Sequence, residues 1–258
     1  LTTFDQYEKS GSEEDRAVGL DLMRAGKVGC LIVAGGQGTR LGFDQPKGFF
    51  PVTRVKNKSL YQLFADRILA VQRVTKSTLP LAVMTSKENH SQTLEGFEAE
   101  DYFGLNRHQV FFFSQNNLPF LDEKGQLFLE SKTSLAMGPD GNASALKQFV
   151  DSGIWSQWKE RGVEYVNYMH IDNALADPFD AELIGHHRRK PGSDVIVKCV
   201  LREDPTEKIG VLFFVDGKVG VVEYTEISDE MRYRKNDNGE LSRKSTRLNS
   251  SHQPVSRM

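Results

Sequence analysis

Short apolar runs alternate along the chain with longer segments in which apolar residues recur at helical spacing. The runs have the continuous apolar character of strands buried on both faces, at positions 29–34, 81–85, 110–113, 165–171 and 195–201. The segments between them are predicted helices, at about 60–71, 87–99, 142–151, 153–161 and 180–189. Because strands that alternate with helices build a mostly parallel sheet covered on both faces, the pattern predicts an α/β doubly wound fold.

Local signals add detail to this pattern. Ser59 precedes one helical segment and Gln62 follows three residues later, which predicts a capping box at that helix start. Residues 122–125 predict a turn before a small hairpin arm, and Asp216-Gly217-Lys218 predicts a second hairpin between two apolar runs. Residues 1–27 predict an amphipathic helical lead-in to the first strand.

Composition and charge narrow the class of protein. Of the 258 residues, 38% are hydrophobic and 26% are charged, which supplies enough apolar side chains for one large domain. No apolar run approaches the ~20 residues that span a bilayer, and the N-terminus lacks the basic-then-apolar pattern of a signal peptide. We therefore expect a cytoplasmic protein without a membrane partner. The formal net charge of −2 gives no general attraction for nucleic acid, so we expect no nucleic-acid partner.

Residue types that can bind metals have simpler explanations in this chain. Cys30 and Cys199 both lie in apolar runs, so we interpret them as buried core thiols rather than as a disulfide or a metal site. The basic run at 186–190 ends a predicted helix, where cations complement the negative end of the helix dipole.

The end of the chain differs in character from the rest. Residues 243–258 carry four of the 33 basic residues and no acid, so the preceding residues have a formal charge of −6. The string from Arg243 to His252 resembles the translation of a common sequencing adapter. We therefore expect 243–258 to be a non-native tail without core contacts, after a lead-in at 1–27 and a C-terminally truncated main domain at 28–242.

The strongest candidate for chemistry directly follows the first predicted strand. Residues 35–42, which we call the glycine loop, have the sequence Gly-Gly-Gln-Gly-Thr-Arg-Leu-Gly and are followed by Pro46-Lys47-Gly48. Ligands of doubly wound sheets bind at the carboxyl ends of strands, where glycines let backbone amides approach phosphate oxygens. The spacing matches neither the GxGxxG nor the GxxxxGK[ST] pattern, so the glycines alone leave the ligand open.

The complete string is more specific. Residues 31–42 together with Pro46-Lys47-Gly48 closely resemble the signature of the UDP-sugar pyrophosphorylases, and most of all that of the UDP-N-acetylhexosamine pyrophosphorylases. Supporting motifs follow in order over residues 29–230: Met84-Thr85-Ser86, Phe112-Phe113-Ser114-Gln115, Gly138-Pro139-Asp140-Gly141-Asn142, Ile171-Asp172-Asn173 and Val222-Glu223-Tyr224. The resemblance implies the fold of the nucleotide-diphospho-sugar transferases, with a mixed, mostly parallel sheet.

The resemblance also implies a reaction, in which UTP and a sugar 1-phosphate give a UDP-sugar and pyrophosphate. The Pro-Asp-Gly-Asn and Asp-Asn motifs favour N-acetylglucosamine 1-phosphate as the sugar substrate. The alternatives are the same transfer to glucose or galactose 1-phosphate, and a non-catalytic UDP-sugar-binding homologue. Ala143-Ser144 departs from the family, in which glycine follows this asparagine, and weakens any assignment of the exact sugar. Because the main domain lacks the family's final elements, we expect the chain as written to be nearly inactive.

Residue roles follow from the matched motifs. The transfer needs charge neutralisation and alignment rather than covalent chemistry, and the resemblance assigns these catalytic roles to Arg40 and Lys47. The implied nucleotide-binding residues are Gly35, Gly36, Gln37, Gly38, Thr39, Gln115, Gly141 and Asp172. The implied sugar-binding residues are Asn142, Asn173 and Glu223, and Asp172 is also the implied ligand of a Mg²⁺ cofactor.

Several of these residues have an ordinary structural alternative. Gln115 offers the amide donor and acceptor that can read a uracil edge, but it also fits a polar loop position. Asp172 ends an apolar strand, where an acid needs a partner, a metal or a cleft, and it also fits a turn cap. The alternative for Asp140 or Asn142 is a helix cap, and that for Glu223 is an acid of an edge strand.

Overall fold

The computed structural model describes residues 2–3, 11–142, 144–190, 192, 194–199, 202–207, 210–215, 218–222, 224–235, 239, 241 and 254–257. In chain order the strands are β1 (Thr2–Thr3), β2 (Val28–Val33), β3 (Leu81–Thr85), β4 (Val110–Ser114), β5 (Asn117–Pro119), β6 (Leu129–Ser131), β7 (Ser134–Leu135), β8 (Met137–Pro139), β9 (Tyr165–His170), β10 (Val195–Val197), β11 (Val211–Val215), β12 (Lys218–Val222) and β13 (Pro254–Arg257). The helices are α1 (Glu13–Arg24), α2 (Leu60–Thr75), α3 (His90–Ala99), α4 (Ala145–Asp151), α5 (Ile154–Glu160), α6 (Ala181–Arg189) and α7 (Asp229–Tyr233).

The main sheet has six strands in the order β10-β13-β9-β2-β3-β4. The four strands from β9 to β4 are parallel, whereas β13 is antiparallel to both of its neighbours. Small sheets formed by β1-β11-β12, β5-β8 and β6-β7 accompany it. This mixed, mostly parallel sheet confirms the predicted α/β doubly wound fold.

Helices cover the two faces of the sheet with separate apolar clusters. Alternate residues of each strand point to opposite faces, so Cys30 and Ile32 of β2 join one cluster and Leu31 and Val33 join the other. On the first face the cluster is completed mainly by helices α2, α3 and α6, through Phe64, Ile68, Phe97 and Ile184. On the second it is completed by α4 and α5, through Phe149, Trp155 and Trp158.

Three helix starts differ in detail from the prediction. The Ser59 hydroxyl caps α2 by accepting from the Gln62 N–H at 3.2 Å, but the Gln62 side chain donates to Asp66 instead of completing a capping box. Helix α3 begins at His90 and α4 at Ala145, each three residues later than predicted. The delay leaves residues 87–89, and likewise 142 and 144, in connecting segments rather than in helices.

Helix α1 packs against α6 through a buried carboxylate. Asp15 is 4% exposed, accepts from the Ser12 N–H and hydroxyl, and is contacted by Arg189 at 2.7 Å and His186 at 3.3 Å. Burial raises the pKa of Asp15, but the hydrogen bonds from Ser12, Arg189 and His186 outweigh it and hold the pKa well below its usual range. Two members of the basic run therefore pair with α1, in addition to lying at the end of α6.

Two other expectations need correction. Cys30 is fully buried, but Cys199 is only half-buried, so the prediction of a core thiol is wrong for Cys199; no disulfide joins the two. Residues 254–257 pair with β9 and β10 inside the main sheet, so the expectation of a tail without core contacts is also wrong for them. The other tail residues lie outside the described residues, and the non-native origin of the tail and the domain boundaries stay predictions. Within the described part of the chain, no helix has the length and apolar character to cross a bilayer.

Candidate functional site

Four parallel strands end level at one edge of the sheet. In their ladder Val33 lies opposite both Met84 and His170, and Met84 lies opposite Phe113. The glycine loop and the segments that follow β3, β4 and β9 therefore leave the sheet side by side. This edge brings most of the predicted site residues together, as the carboxyl ends of strands do in doubly wound folds.

A narrow neck closes the glycine loop. The Lys47 N–H donates to the Gly36 carbonyl at 3.1 Å, and the Gly38 N–H donates to the Gln45 carbonyl at 3.0 Å. No acceptor among the described residues receives a hydrogen bond from the backbone N–H of Gly35, Gly36 or Gln37. Three successive amide donors of this kind, in a loop stabilised at its neck, can bind an anion.

Lys47 lies above these amides and pairs with the end of β9. A methyl group at Gly36 would lie 3.6 Å from Lys47 Nζ, and Nζ lies 3.5 Å from Asp172 Oδ2. The next residue, Gly48, lies flat against the Tyr61 ring of α2, where a Cβ atom would approach the ring to 2.1 Å. This close approach requires glycine and fixes the backbone that carries Lys47.

Arg40 and Thr39 have a different environment from Lys47. They lie in a three-residue 3₁₀ helix, Thr39–Leu41, and both are exposed. Arg40 forms no ion pair with any of the described residues, including Asp172. The structure thus joins Lys47, but not Arg40, to the carboxylate of the site.

Gln115 lies against the other side of the glycine loop. It is 4% exposed, its N–H donates to the Thr85 carbonyl at 2.8 Å, and its Nε2 would lie 2.5 Å from a Cβ atom at Gly35. The buried Oε1 atom has no hydrogen-bond partner among the described residues. A buried amide oxygen without a partner is costly, so this position suits an incoming donor better than an ordinary polar loop residue.

The predicted sugar-binding residues are only partly gathered. Asn142 donates from its side-chain amide to His170 Nδ1 at 3.2 Å, which brings it to the end of β9. It does not cap α4, because that helix begins at Ala145 after Ser144, with no side-chain cap. Gly141 has φ +78°, a conformation that favours glycine. Asn173 is 4% exposed, whereas Glu223 and Ala143 lie outside the described residues.

The turn after Asp172 is anchored from within the sheet. The buried Asn167 side chain of β9 donates to the carbonyls of Asp177 and Pro178, at 2.9 Å each. Burial raises the pKa of Asp177, although Phe179 N–H donates to its carboxylate and Arg67 is close. These contacts attach the segment that follows Asp172 to strand β9.

Asn89 connects the segment after β3 to the glycine loop, and the sequence pattern did not predict this role. Asn89 is fully buried, accepts from the Ser86 N–H at 2.8 Å and donates to the Ala34 carbonyl at 3.2 Å. Ser86 returns a contact through its hydroxyl, which accepts from the Asn89 N–H at 3.2 Å. The available signal was a polar pair following a buried strand at the ligand-binding edge.

Comparison with known proteins identifies the family to which the chain belongs. The family model described as UTP–glucose-1-phosphate uridylyltransferase matches residues 5–243. The chain belongs to this family. It is 34% identical over 254 residues to the "Probable UDP-N-acetylglucosamine pyrophosphorylase" of Dictyostelium discoideum, covering 93% of the chain and 52% of that relative. It is 39% identical over 229 residues to the "UDP-N-acetylhexosamine pyrophosphorylase-like protein 1" of Xenopus tropicalis, covering 86% of the chain and 45% of that relative.

A solved structure agrees with this assignment to the uridylyltransferase family. The uridine diphosphate N-acetylglucosamine pyrophosphorylase of Trypanosoma brucei, solved in complex with an inhibitor, superposes with a TM-score of 0.86 at 33% identity. The match covers 95% of the chain and 50% of that structure. These relatives confirm the predicted resemblance and fold. The chain spans about half the length of the curated relatives it matches.

Proposed function

We propose that this chain carries the nucleotide site of a uridylyltransferase that makes UDP-N-acetylglucosamine and pyrophosphate from UTP and N-acetylglucosamine 1-phosphate. The observation that supports it most is the row of three amide donors at Gly35, Gly36 and Gln37, with Lys47 above them. The relatives at 34% and 33% identity are named for N-acetylglucosamine, and the whole-protein activity is proposed from those names.

The site suits phosphoryl chemistry that depends on alignment. An oxygen of the sugar phosphate attacks the α-phosphorus of UTP, and pyrophosphate leaves from the opposite side. Amide donors of the glycine loop and the Lys47 ammonium bind the phosphate oxygens and stabilise the negative charge that develops on the leaving group. Arg40 is exposed within the glycine loop and adds positive charge without an ion-pair partner among the described residues.

Gln115 is proposed to select the base. Its unpaired Oε1 can accept from the uracil N3–H, and its Nε2 can donate to a uracil carbonyl. Cytosine presents no N3–H donor, so the same amide would leave a buried oxygen unpaired against it.

Mg²⁺ is proposed as the cofactor, with Asp172 as its protein ligand. No group of three or more His, Cys, Asp or Glu within the described ranges could hold a metal ion. A single carboxylate near a phosphate loop fits Mg²⁺, which keeps several waters and binds mainly through substrate phosphates. When bound, the ion would neutralise phosphate charge; Asp172 would hold it, and Lys47 would then turn from Asp172 to the phosphates.

The proposed sugar contacts are supported by the position of residues near the end of β9. Asn142 contacts His170, the last residue of β9, and we propose that Asn142 and Asn173 contact the sugar. The contribution of Glu223 stays a prediction from the matched motif. The family model that matches is named for glucose 1-phosphate, which keeps that sugar as the second candidate. A cytoplasmic location is likewise proposed from the sequence alone.

The decisive experiment is a substrate panel. Full-length protein carrying these residues is assayed for pyrophosphate release with UTP and the 1-phosphates of N-acetylglucosamine, N-acetylgalactosamine, glucose and galactose. We expect the highest kcat/KM with N-acetylglucosamine 1-phosphate. A higher value with glucose or galactose 1-phosphate would support the alternative enzyme. UTP binding in calorimetry without pyrophosphate release from any sugar would support a non-catalytic homologue.

A further inference from the structure

We propose that Asn89 is a positioning residue, which orients the peptide groups of the glycine loop so that their N–H groups face the phosphates. The inference rests on the proposed function of that loop. Asn89 reaches the loop from the segment between β3 and α3, more than fifty positions away in the sequence.

The contacts act on two peptide planes of the loop. Asn89 Nδ2 donates to the Ala34 carbonyl at 3.2 Å and makes a longer contact to the Gly36 carbonyl at 3.5 Å. The Gly36 carbonyl also accepts from the Lys47 N–H at 3.1 Å. Both carbonyls therefore point toward the side chain of the buried Asn89.

The direction of these two carbonyls determines the direction of the N–H groups in the same peptide units. In a trans peptide the C=O and the following N–H point in opposite directions. Since the carbonyls of Ala34 and Gly36 are held toward Asn89, the N–H groups of Gly35 and Gln37 point away from Asn89. These are two of the three backbone N–H groups of the loop that donate to no acceptor among the described residues.

The Asn89 side chain makes these contacts instead of capping helix α3. It is the residue before α3, where an asparagine side chain commonly caps the helix, yet Asn89 makes no cap hydrogen bond to α3. Its Oδ1 instead accepts from the Ser86 N–H at 2.8 Å, which leaves Nδ2 directed at the loop. The Thr93 hydroxyl donates to the Asn89 carbonyl at 2.8 Å and anchors the residue from the helix side.

Loss of this contact should act on phosphates and not on the base. Glycine peptides rotate easily, so without Asn89 the loop would have to be ordered at the moment of binding. The cost should appear for each ligand that engages the loop and should be absent for uridine, which Gln115 holds separately.

The test compares uridine, UMP, UDP and UTP by calorimetry on the native full-length protein and on two variants of it. Asn89→Ala removes both contacts. Asn89→Asp is isosteric and keeps the acceptor for the Ser86 N–H, but it cannot donate to Ala34 or Gly36. We expect both variants to bind UTP at least tenfold more weakly and to bind uridine within twofold of the native full-length protein.

Asn106→Ala is the matched control. Asn106 also precedes a short helix, and it accepts from the His108 N–H at 2.9 Å, away from the glycine loop. Its UTP affinity should not change. Native-like UTP binding by Asn89→Asp, or equal weakening of uridine and UTP in both variants, would overturn the role of Asn89. Absence of UTP binding by the native full-length protein would overturn the proposed function and this inference with it.

Discussion

Lys47 Nζ lies 3.5 Å from Asp172 Oδ2, so the cation of the glycine-loop segment and the carboxylate after β9 neutralise each other in the free protein. Both side chains are partly exposed, at 29% and 39%, so the pair itself adds little to stability. A bound triphosphate offers Lys47 a stronger set of anionic partners, and it leaves Asp172 available to a cation. We therefore predict that the pair opens when the proposed triphosphate binds.

Replacement of Lys47 tests whether this cation acts on the triphosphate. Lys47→Ala removes a cation aimed at developing phosphate charge, so kcat of the full-length protein should fall ~10²–10³-fold. Lys58→Ala is the control, because Lys58 forms a comparable half-buried pair with Asp66 on α2. Near-normal pyrophosphate release by Lys47→Ala would contradict the assignment of this loop.

Asp172→Asn tests whether this carboxylate binds a cation when Lys47 moves to the triphosphate. The amide cannot neutralise Lys47 or hold Mg²⁺ strongly, so UTP binding without Mg²⁺ should be as tight as in the native protein or tighter. Addition of Mg²⁺ should then improve UTP binding less than it does in the native protein. Calorimetry with and without Mg²⁺ measures both effects, with Asp66→Asn as the matched control. An unchanged Mg²⁺ response would remove Asp172 from the proposed metal site.

Gln115→Ala tests the proposed base contact. Loss of one buried partner should weaken UTP binding roughly 10-fold and reduce the preference for UTP over CTP. Competition between the two nucleotides measures the change directly. Asn117→Ala is a neighbouring control, since the Asn117 amide donates to Glu88 rather than facing the glycine loop. If nucleotide preference survived in Gln115→Ala, the glutamine would be an ordinary loop residue.

The docking of α1 should depend on pH through Asp15. Its pKa in the folded protein is lowered from the usual 3.8, so its carboxylate contributes stability above that value. The contribution is lost as pH falls below 3.8 toward the lower pKa of the folded state. In urea unfolding, Asp15→Asn should therefore be less stable than the native chain at pH 7, and the difference should shrink in acid.

Asp21→Asn provides the reference for this titration. Asp21 lies on the same helix, pairs with Arg24 and has a side chain that is 71% exposed. It should change stability little at either pH. A difference between Asp15→Asn and the native chain that stayed constant with pH would show that packing, and not charge, explains the effect of Asp15.

The sequence was informative where one local signal determines one local structure. Continuous apolar runs located β2, β3, β4 and β9, and Ser59 marked the start of α2. The glycine loop was identified because it directly follows a strand whose carboxyl end lies at the ligand-binding edge, whereas Gln115 was assigned through the family resemblance.

Contacts between distant segments were not predictable in this way. Asn89 lies in a stretch that was predicted to be helical, and its reach to Ala34 depends on β2 and β3 being neighbours. The His170 contact to Asn142 depends in the same way on α4 beginning late. The position of the basic run at the end of a helix was predictable from the sequence. Its pairing with Asp15 was not, because that contact depends on α1 packing against α6.

The contact between Gly35 and Gln115 constrains how nucleotide preference can change. Nε2 of Gln115 occupies the space where any side chain at Gly35 would begin, at 2.5 Å from an added Cβ. A larger side chain at either position would displace the other residue, so enlarging the side chain at position 35 or 115 should disturb base selection and triphosphate binding together. Substitutions that redirect this site to another base should therefore show strong epistasis, with paired changes at 35 and 115 succeeding where single changes fail.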